Sequence, residues 1–503
     1  MNDTKWVSMW GNAMSIAEHH PEGYAKDLTL RYPVYAPFSG SALRFTLDNY
    51  CGKEPVTIHR ATVAVCDSDL TGKVPLSCAL AAGTIRDITF DGSASVTLAA
   101  GASAASDALS FPVSAGQTLC VSLYFDGYTA MQSSVLITGP LSRGYFSYGD
   151  QTHSEALPLA TSKATNWFYF LSNIDILTKE DCHAIICYGD SITAQAWPDY
   201  LTLRLIEEGH NHTSVIRRAA SGTRILRQYD CITYDSYGLK GANRFAHEIP
   251  TAGADTVIIQ QGINDIIHPV GTDVNPFRPM SDLPTAAELI DGLKWYIEEA
   301  RKLHDSVYLG TLLPIYGWRT YAPFREELRG AVNDWIRSNH ESDGCIDFDQ
   351  ALRAADDPRS FAKGYDSGDH LHPSNPAYKK MAVAMIEQDL TGQIATRIHP
   401  LVGRGGKGLA AKRSLGIPCP VCGGTIETTP FGYGCSNYQK DGGGCRFSIG
   451  TIAGRDLNDE EVKELLTEGH TGVLSGFVSK SKKKFSASLI LEKDDEGKVS
   501  VGF

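Results

Sequence analysis

The stretch Ile185–Trp197, IICYGDSITAQAW, decides how this chain is read. Four mostly apolar residues precede Gly189-Asp190-Ser191, and polar and helix-forming residues follow. That order predicts a buried strand that closes in a tight turn and enters a helix. Ser191 is then either a helix-starting serine or a nucleophile held at a strand end; the stretch alone leaves both open.

Outward from this point the pattern repeats. HAIICYGD, TSVIRRAASG, DTVIIQQGIND, SVYLGTLLP and GCIDFDQAL read as strands. Between and after them, AWPDYLTLRLIEEG, TAAELIDGLKWYIEEARKLH, FREELRGAVNDWIRSN and NPAYKKMAVAMIEQDL read as helices. Alternation of this kind predicts an α/β fold of three layers, a parallel sheet covered on both faces. Chemistry in such sheets gathers at the carboxyl ends of the strands. Upstream, over roughly 25–140, the short alternating runs SALRFTLDN, VTIHRATVAV, ASVTLAA and TLCVSLYF are separated by turn formers. They predict an antiparallel, jelly-roll-like β-sandwich. Downstream, LVGRGGKGLAAKRSLGIP reads as a linker. The expected organisation is a sandwich over 1–178, the α/β domain over 179–398, a linker over 399–417 and a small domain over 418–503.

Composition bounds the function. The 503 residues are 42% hydrophobic and 21% charged, ordinary for a globular protein. Residues 396–503 hold 15 Lys/Arg against 12 Asp/Glu, or +3, so the remainder of the −12 total is −15. An acidic body repels polyanions, which argues against nucleic acid or an anionic membrane as its target. No apolar run approaches the ~20 residues that span a bilayer. The start, MNDTKWVSMWGNAMS, has no basic n-region followed by an apolar stretch. Eight of the twelve cysteines (51, 66, 78, 120, 182, 187, 231, 345) are scattered, mostly among apolar neighbours, and read as small core hydrophobes of a reduced compartment. Together these features predict a cytoplasmic protein. There is no signal for an oligomeric state.

Four predicted strand-to-loop junctions carry polar residues suited to acyl transfer. They are Gly189-Asp190-Ser191, Ser221-Gly222, Gly262-Ile263-Asn264-Asp265, and Asp369-His370-Leu371-His372 before the last helix. A serine hydroxyl needs a base to take its proton, which His372 can do, and Asp369 can orient and stabilise the imidazolium. Asp347 or Asp349 after the last strand are alternatives to Asp369. A metal cluster of Asp366, Asp369, His370 and His372 is a weaker alternative that leaves Ser191, Gly222 and Asn264 unexplained. His268 reads as a loop or substrate-side residue.

In order and spacing these blocks resemble the SGNH (GDSL) hydrolase family, over about 181–390. The resemblance implies Ser191 as nucleophile, His372 as base and Asp369 as orienting acid. It also implies an oxyanion hole from the Ser191 and Gly222 backbone N–H groups and the Asn264 amide, and no catalytic cofactor. The phrases TLLPIYGWR, VNDWIR, IDFDQAL and YDSGDHLHP, with LRFTLDNYCGKEPVTI upstream, resemble bacterial SGNH esterases, several of which remove acetyl groups from polysaccharide fragments. The expected substrate is therefore an acetylated oligosaccharide or another small ester. Arg224, Tyr316, Trp318 and Arg319 are the candidate substrate contacts. A general short-chain esterase of small molecules, or a binding protein with an inert α/β core, are the alternatives.

The remaining cysteines, Cys419 and Cys422, then Cys435 after twelve residues and Cys445 after nine more, are spaced as two thiolate pairs on knuckles. Four thiolates at ~2.3 Å suit tetrahedral zinc, and a small domain with few large apolar residues is expected to need the ion. This tail resembles the zinc-ribbon C-terminal repeat of bacterial topoisomerases, whose ribbons help bind DNA. Lys480, Lys482, Lys483 and Lys484 are its one obvious phosphate-attracting cluster. At +3, nucleic-acid binding is expected to be weak and salt-sensitive, and a structural or docking module is the expectation.

Overall fold

The computed structural model describes residues 4–17, 24–70, 74–389, 414–429, 432–438, 444–450, 452–453, 455, 457–479, 483–493 and 499–502. The chain divides into two compact units, 1–406 and 407–503. Among the described residues no helix is long and apolar enough to cross a membrane.

The first unit begins with antiparallel sheets. One has the strand order Thr4–Gly11, Leu171–Lys179, Gly40–Asp48, Ser103–Ala105. The other runs Lys163–Thr165, Gly144–Tyr148, Leu28–Tyr35, Thr118–Phe125, Arg60–Val65, Arg86–Ile88. The period-2 alternation read from SALRFTLDN is realised: Leu43, Phe45 and Leu47 are buried and join Tyr32, Val34, Leu119, Val121 and Leu123 in one core. The sheets begin at Thr4 and continue to Lys179, well beyond the segment whose alternation was legible.

Four residues after Lys179 the parallel sheet begins. Its strands are β1 (His183–Gly189), β2 (Thr213–Ala219), β3 (Ala254–Gln260), β4 (Ser306–Gly310) and β5 (Gly344–Ile346). All pairs are parallel, in the order β2-β1-β3-β4-β5. The order reverses at β1, whose neighbours are β2 on one side and β3 on the other, so the crevice opens at the end of β1. The helices are α1 (Ser191–Ala194), α2 (Trp197–Glu207), α3 (Gly241–Glu248), α4 (Ile263–Ile267), α5 (Ala286–Arg301), α6 (Pro323–Ser338), α7 (Phe348–Leu352) and α8 (Asn375–Asp389).

Two segments differ from the expectation. GIND does not extend β3: the strand stops at Gln260, Gly262 takes φ +128°, and Ile263 opens α4. In GCIDFDQAL only Gly344–Ile346 is strand, because Asp347 accepts from the Gln350 N–H and starts α7.

The sandwich and the α/β layers share a core. Strand Thr4–Gly11 lies against β2, with the Ser214 hydroxyl donating to Ser8 O at 2.6 Å. Ile216, Ala219 and Ala184 pack into the same apolar cluster as Val7 and Met9.

In the second unit Ser414–Pro418, Thr425–Thr429, Gly432–Cys435 and Ser448–Ile449 form one antiparallel sheet. The end of the expected linker is thus strand, and its stretch 399–413 lies outside the described residues. Helix Asp459–Glu468 is closed by an Asn458/Glu461 capping box and by Gly469 in the left-handed region. Ile426, Val462, Leu465, Phe477 and Leu489 are fully buried. They form a small apolar core of this unit.

Candidate active site

Every residue of β1 is buried, and the chain leaves it at Gly189. A Cβ at Gly189 would lie 2.5 Å from Gln260 O, so only glycine fits this strand end. Asp190 follows, fully buried, its carboxylate accepting the Ile192 N–H at 3.0 Å. Burial pushes its pKa up to about 7. Asp190 is the cap of α1, and Ser191 is the first residue of that helix, at the switch point of the sheet.

The loop before α8 delivers the partners. Ser191 Oγ lies 2.9 Å from His372 Nε2, and His372 Nδ1 lies 2.6 Å from Asp369 Oδ2. Asp369 Oδ1 accepts the backbone N–H groups of Leu371 (3.0 Å) and His372 (2.8 Å). Burial raises the Asp369 pKa, but the hydrogen bonds from the His372 side chain and these two N–H groups outweigh it and hold the carboxyl well below its usual range. The loop is shaped by a second acid: Asp366 accepts from Gly368 N and His370 N, and its other oxygen meets His370 Nδ1 at 2.5 Å. His370 takes φ +64°, in the left-handed region.

Gly222 and Asn264 come to the same edge from β2 and β3. Gly222 has φ +79°, and a Cβ there would lie 2.6 Å from the Tyr237 ring. Asn264 Nδ2 donates to Thr223 O at 3.1 Å, which ties the amide to the Gly222 turn. Asp265 holds the turn from behind, accepting Ile225 N (2.8 Å) and Leu226 N (3.0 Å), and burial lifts its pKa to about 6. Arg244 was not singled out from sequence. Fully buried on α3, it pairs with Glu248 at 2.9 Å and donates to Arg218 O, Thr223 Oγ1 and, at 3.4 Å, Gly189 O. It therefore links the ends of β1 and β2 to the Gly222 turn. Its spacing from Glu248 (i, i+4) was the only signal in the chain.

The family model described as GDSL-like Lipase/Acylhydrolase family matches residues 187–380. The match marks residues 187–380 as a GDSL-like lipase/acylhydrolase domain. A second model, the C-terminal repeat of topoisomerase, matches residues 444–503. Similar solved structures include a lipase/acylhydrolase from Enterococcus faecalis (20% identity, 41% of this chain and 94% of that one, TM-score 0.30). An acetylxylan esterase from Geobacillus stearothermophilus (19%, 41% and 93%, 0.31) and a GDSL-like lipase from Bacteroides thetaiotaomicron (16%, 41% and 86%, 0.28) are also similar. No curated protein matches.

The GDSL domain treats the other candidate residues differently. Asp347 and Asp349 are not alternatives to Asp369, because arginines occupy them: Arg337 meets Asp347 at 2.7 Å, while Arg329, Arg337 and Arg353 surround Asp349. The acids and histidines of the Asp366–His372 loop are absent from the metal-competent clusters among the described residues. Arg224 is buried, paired with Asp282 at 3.2 Å and set over the Tyr229 ring, so it is a structural cation rather than an exposed contact. Tyr316 and Arg319 are exposed, and Trp318 is half-buried beneath the Arg319 guanidinium. Their loop backs onto the Asp366–His372 loop, since a Cβ at Gly317 would lie 2.8 Å from the His370 ring. His268 stacks on Tyr237, the ring beneath Gly222; burial and then Arg278, Arg224 and Arg319 hold its pKa well below the usual value.

In the second unit the sulfurs of Cys419, Cys422, Cys435 and Cys445 all lie within 4.8 Å of one another. Backbone N–H groups of Val421 and Asn437 point at Cys419 Sγ (3.5 Å) and Cys435 Sγ (3.4 Å), as expected where thiolates carry charge. Four convergent thiols with N–H donors are a donor set that fits a tetrahedral metal ion. Of the lysine cluster, Lys480 and Lys482 lie outside the described residues; Lys483 and Lys484 are exposed.

Proposed function

We propose that the GDSL domain is a serine esterase that removes short acyl groups, foremost acetyl, from carbohydrates. The observation that carries this reading is the relay Ser191–His372–Asp369, with hydrogen-bond distances of 2.9 and 2.6 Å. Ser191 Oγ attacks the ester carbonyl carbon while its proton passes to His372 Nε2, and Asp369 stabilises the imidazolium. The oxyanion is met by the Ser191 and Gly222 N–H groups and by Asn264. One Nδ2–H of Asn264 is held by Thr223 O, which orients the amide and leaves its other N–H to donate. Collapse of the intermediate expels the sugar hydroxyl, which takes the proton from His372. Water, deprotonated by His372, then releases the acyl group as the free acid.

The substrate class rests on the walls. Tyr316, Trp318 and Arg319 offer aromatic faces with polar edges beside the catalytic loop, an arrangement suited to sugar rings. The C-terminal cysteines are proposed to hold a structural zinc ion, with nucleic-acid binding at most weak. The reduced cysteines of the body support a cytoplasmic location.

Hydrolysis of acetyl and long-chain aryl esters and of acetylated xylan, mannan and pectin fragments tests the proposal. Ser191→Ala is expected to lower kcat by at least about 10³ without unfolding the chain. Equal rates for Ser191→Ala and wild type, or a strong preference for long acyl chains, would overturn it.

A further inference from the structure

Outside the GDSL domain the six-stranded sheet has a second, smaller core on its outer face. Cys66, Cys78, Cys120, Leu70, Leu80, Leu141, Tyr145 and Leu157 form it, covered by the loops that follow the strands. Cys66 follows strand Arg60–Val65, Cys120 lies in the adjacent strand, and Cys78 comes from a loop. The three sulfurs all lie within 4.8 Å of one another, with Cys78 and Cys120 at 3.6 Å. Their exposures are 7, 0 and 1%. Cys78 takes φ +40°, a left-handed conformation costly for a non-glycine residue, and it aims the sulfur at the other two.

Arg31 makes this more than a set of packed thiols. It is wholly buried, and its guanidinium donates to Ser122 Oγ (3.0 Å), Cys78 O (3.0 Å), Gln151 O (2.7 Å) and Ser154 O (2.9 Å). All four acceptors are neutral, and among the described residues no carboxylate pairs with it. A buried cation without a counter-charge is costly, and the ionisable groups that act on it are Cys78, Cys120 and Cys66.

We propose that Cys66, Cys78 and Cys120 bind a thiophilic divalent cation, zinc in the first instance, as three thiolates, with Arg31 as counter-charge. Three thiolates and a divalent ion sum to −1, which Arg31 cancels. Three neutral thiols leave the buried guanidinium uncompensated; a lone Cys66 thiolate held by the Cys78 and Cys120 thiols is the metal-free state that would balance it, and zinc content separates the two. A metal–sulfur distance of ~2.3 Å places thiolates about 3.8–4.0 Å apart, close to the separation found. The ion joins the Cys78 loop to two adjacent strands, binds during folding because the site is closed, and plays no part in ester hydrolysis.

The test uses the full chain purified under reducing conditions from zinc-supplemented cells, with metal measured by elemental mass spectrometry. Cys422→Ser, made throughout together with Cys435→Ser, removes two ligands of the C-terminal cluster, so metal remaining in that variant reports on the sandwich. We expect one equivalent of zinc in Cys422→Ser, retained through native-state dialysis against EDTA and released on unfolding. We expect none after Cys120→Ala is added. Zinc-free Cys422→Ser would overturn the proposal, whether its thiols titrate in full after unfolding or two are missing as a disulfide. If the Cys120→Ala variant does not fold, cadmium substitution in Cys422→Ser decides: thiolate-to-cadmium charge-transfer absorbance supports the site, and its absence overturns it.

Discussion

At the scale of single residues, Asp369 and Asp190, which flank the Ser191–His372 pair, have opposite electrostatic fates. Asp369 faces an imidazole and backbone N–H groups and stays ionised, whereas Asp190, one position before Ser191, is buried and holds its proton up to about pH 7. An unfolded aspartate releases its proton near pH ~4, so between about pH 4 and 7 the native state binds more protons than the unfolded state at Asp190. Its contribution to stability therefore falls as pH rises through that window. Asp190→Asn keeps an N-cap acceptor and cannot ionise. In thermal melts across pH 4 to 8 the variant is expected to gain on wild type as pH rises, by an amount on the order of a few kcal/mol at pH 8. A wild-type minus variant difference that does not change with pH would sink this assignment. The meeting of Ser191, His372 and Asp369 was legible because Gly-Asp-Ser closes a predicted strand and Asp369-His370-Leu371-His372 precedes the last helix, in a fixed order. The burial of Arg224 was not, because an arginine beside a functional turn looks the same in sequence whether it faces solvent or Asp282.

At the scale of elements, what holds the site is α3, a helix that carries no catalytic group. Arg244 bridges Gly189 O, Arg218 O and Thr223 Oγ1 while Glu248 neutralises it. Removing one member of such a buried pair typically costs about 3–5 kcal/mol. Arg244→Ala is expected to lower stability by that order and to reduce kcat more than it changes KM, because the Gly222 turn loses its support. Chemical denaturation and steady-state kinetics on one variant measure both, and an unchanged denaturation midpoint would count against it. The same scale holds the sequence errors. GIND and DFDQAL have strand-like composition, yet Gly262 and the Asp347 cap turn each into a helix. Periodicity over four or five residues cannot separate the two outcomes, since only hydrogen bonds to neighbouring elements decide them.

At the scale of the whole molecule, the sandwich is a structural part of the first unit rather than an appendage. Arg218, buried in β2, donates to Ser172 O (2.8 Å) and Asn173 Oδ1 (2.8 Å) on the sandwich strand Leu171–Lys179. His247 on α3 meets Asp48 at 2.6 Å and stacks on Tyr50 at 3.8 Å. Ser15 Oγ sits against Gly238, next to the Tyr237 ring that underlies Gly222. A chain beginning at His183 would expose Ile216 and Ala219 and strand the Arg218 charge, so it is expected to aggregate, while 1–389 stays soluble and active. Size-exclusion chromatography and ester hydrolysis of the two fragments check this; a monodisperse, active 183–389 fragment would refute it. Sequence alone determined the alternation of strands and helices, the order of the polar strand ends and the four-cysteine spacing, because these are local patterns of period, turn and ligand spacing. Only the tertiary structure decided that Asp190 is a buried cap with a raised pKa, that Arg244 braces the Gly222 turn, and that Cys66, Cys78 and Cys120 meet beside Arg31. Those outcomes depend on burial and on groups far apart in the chain, and desolvation has no signature in a linear string. GDSITAQAW is thus both a helix start and the place where Ser191 meets His372, and which groups surround it was settled by packing.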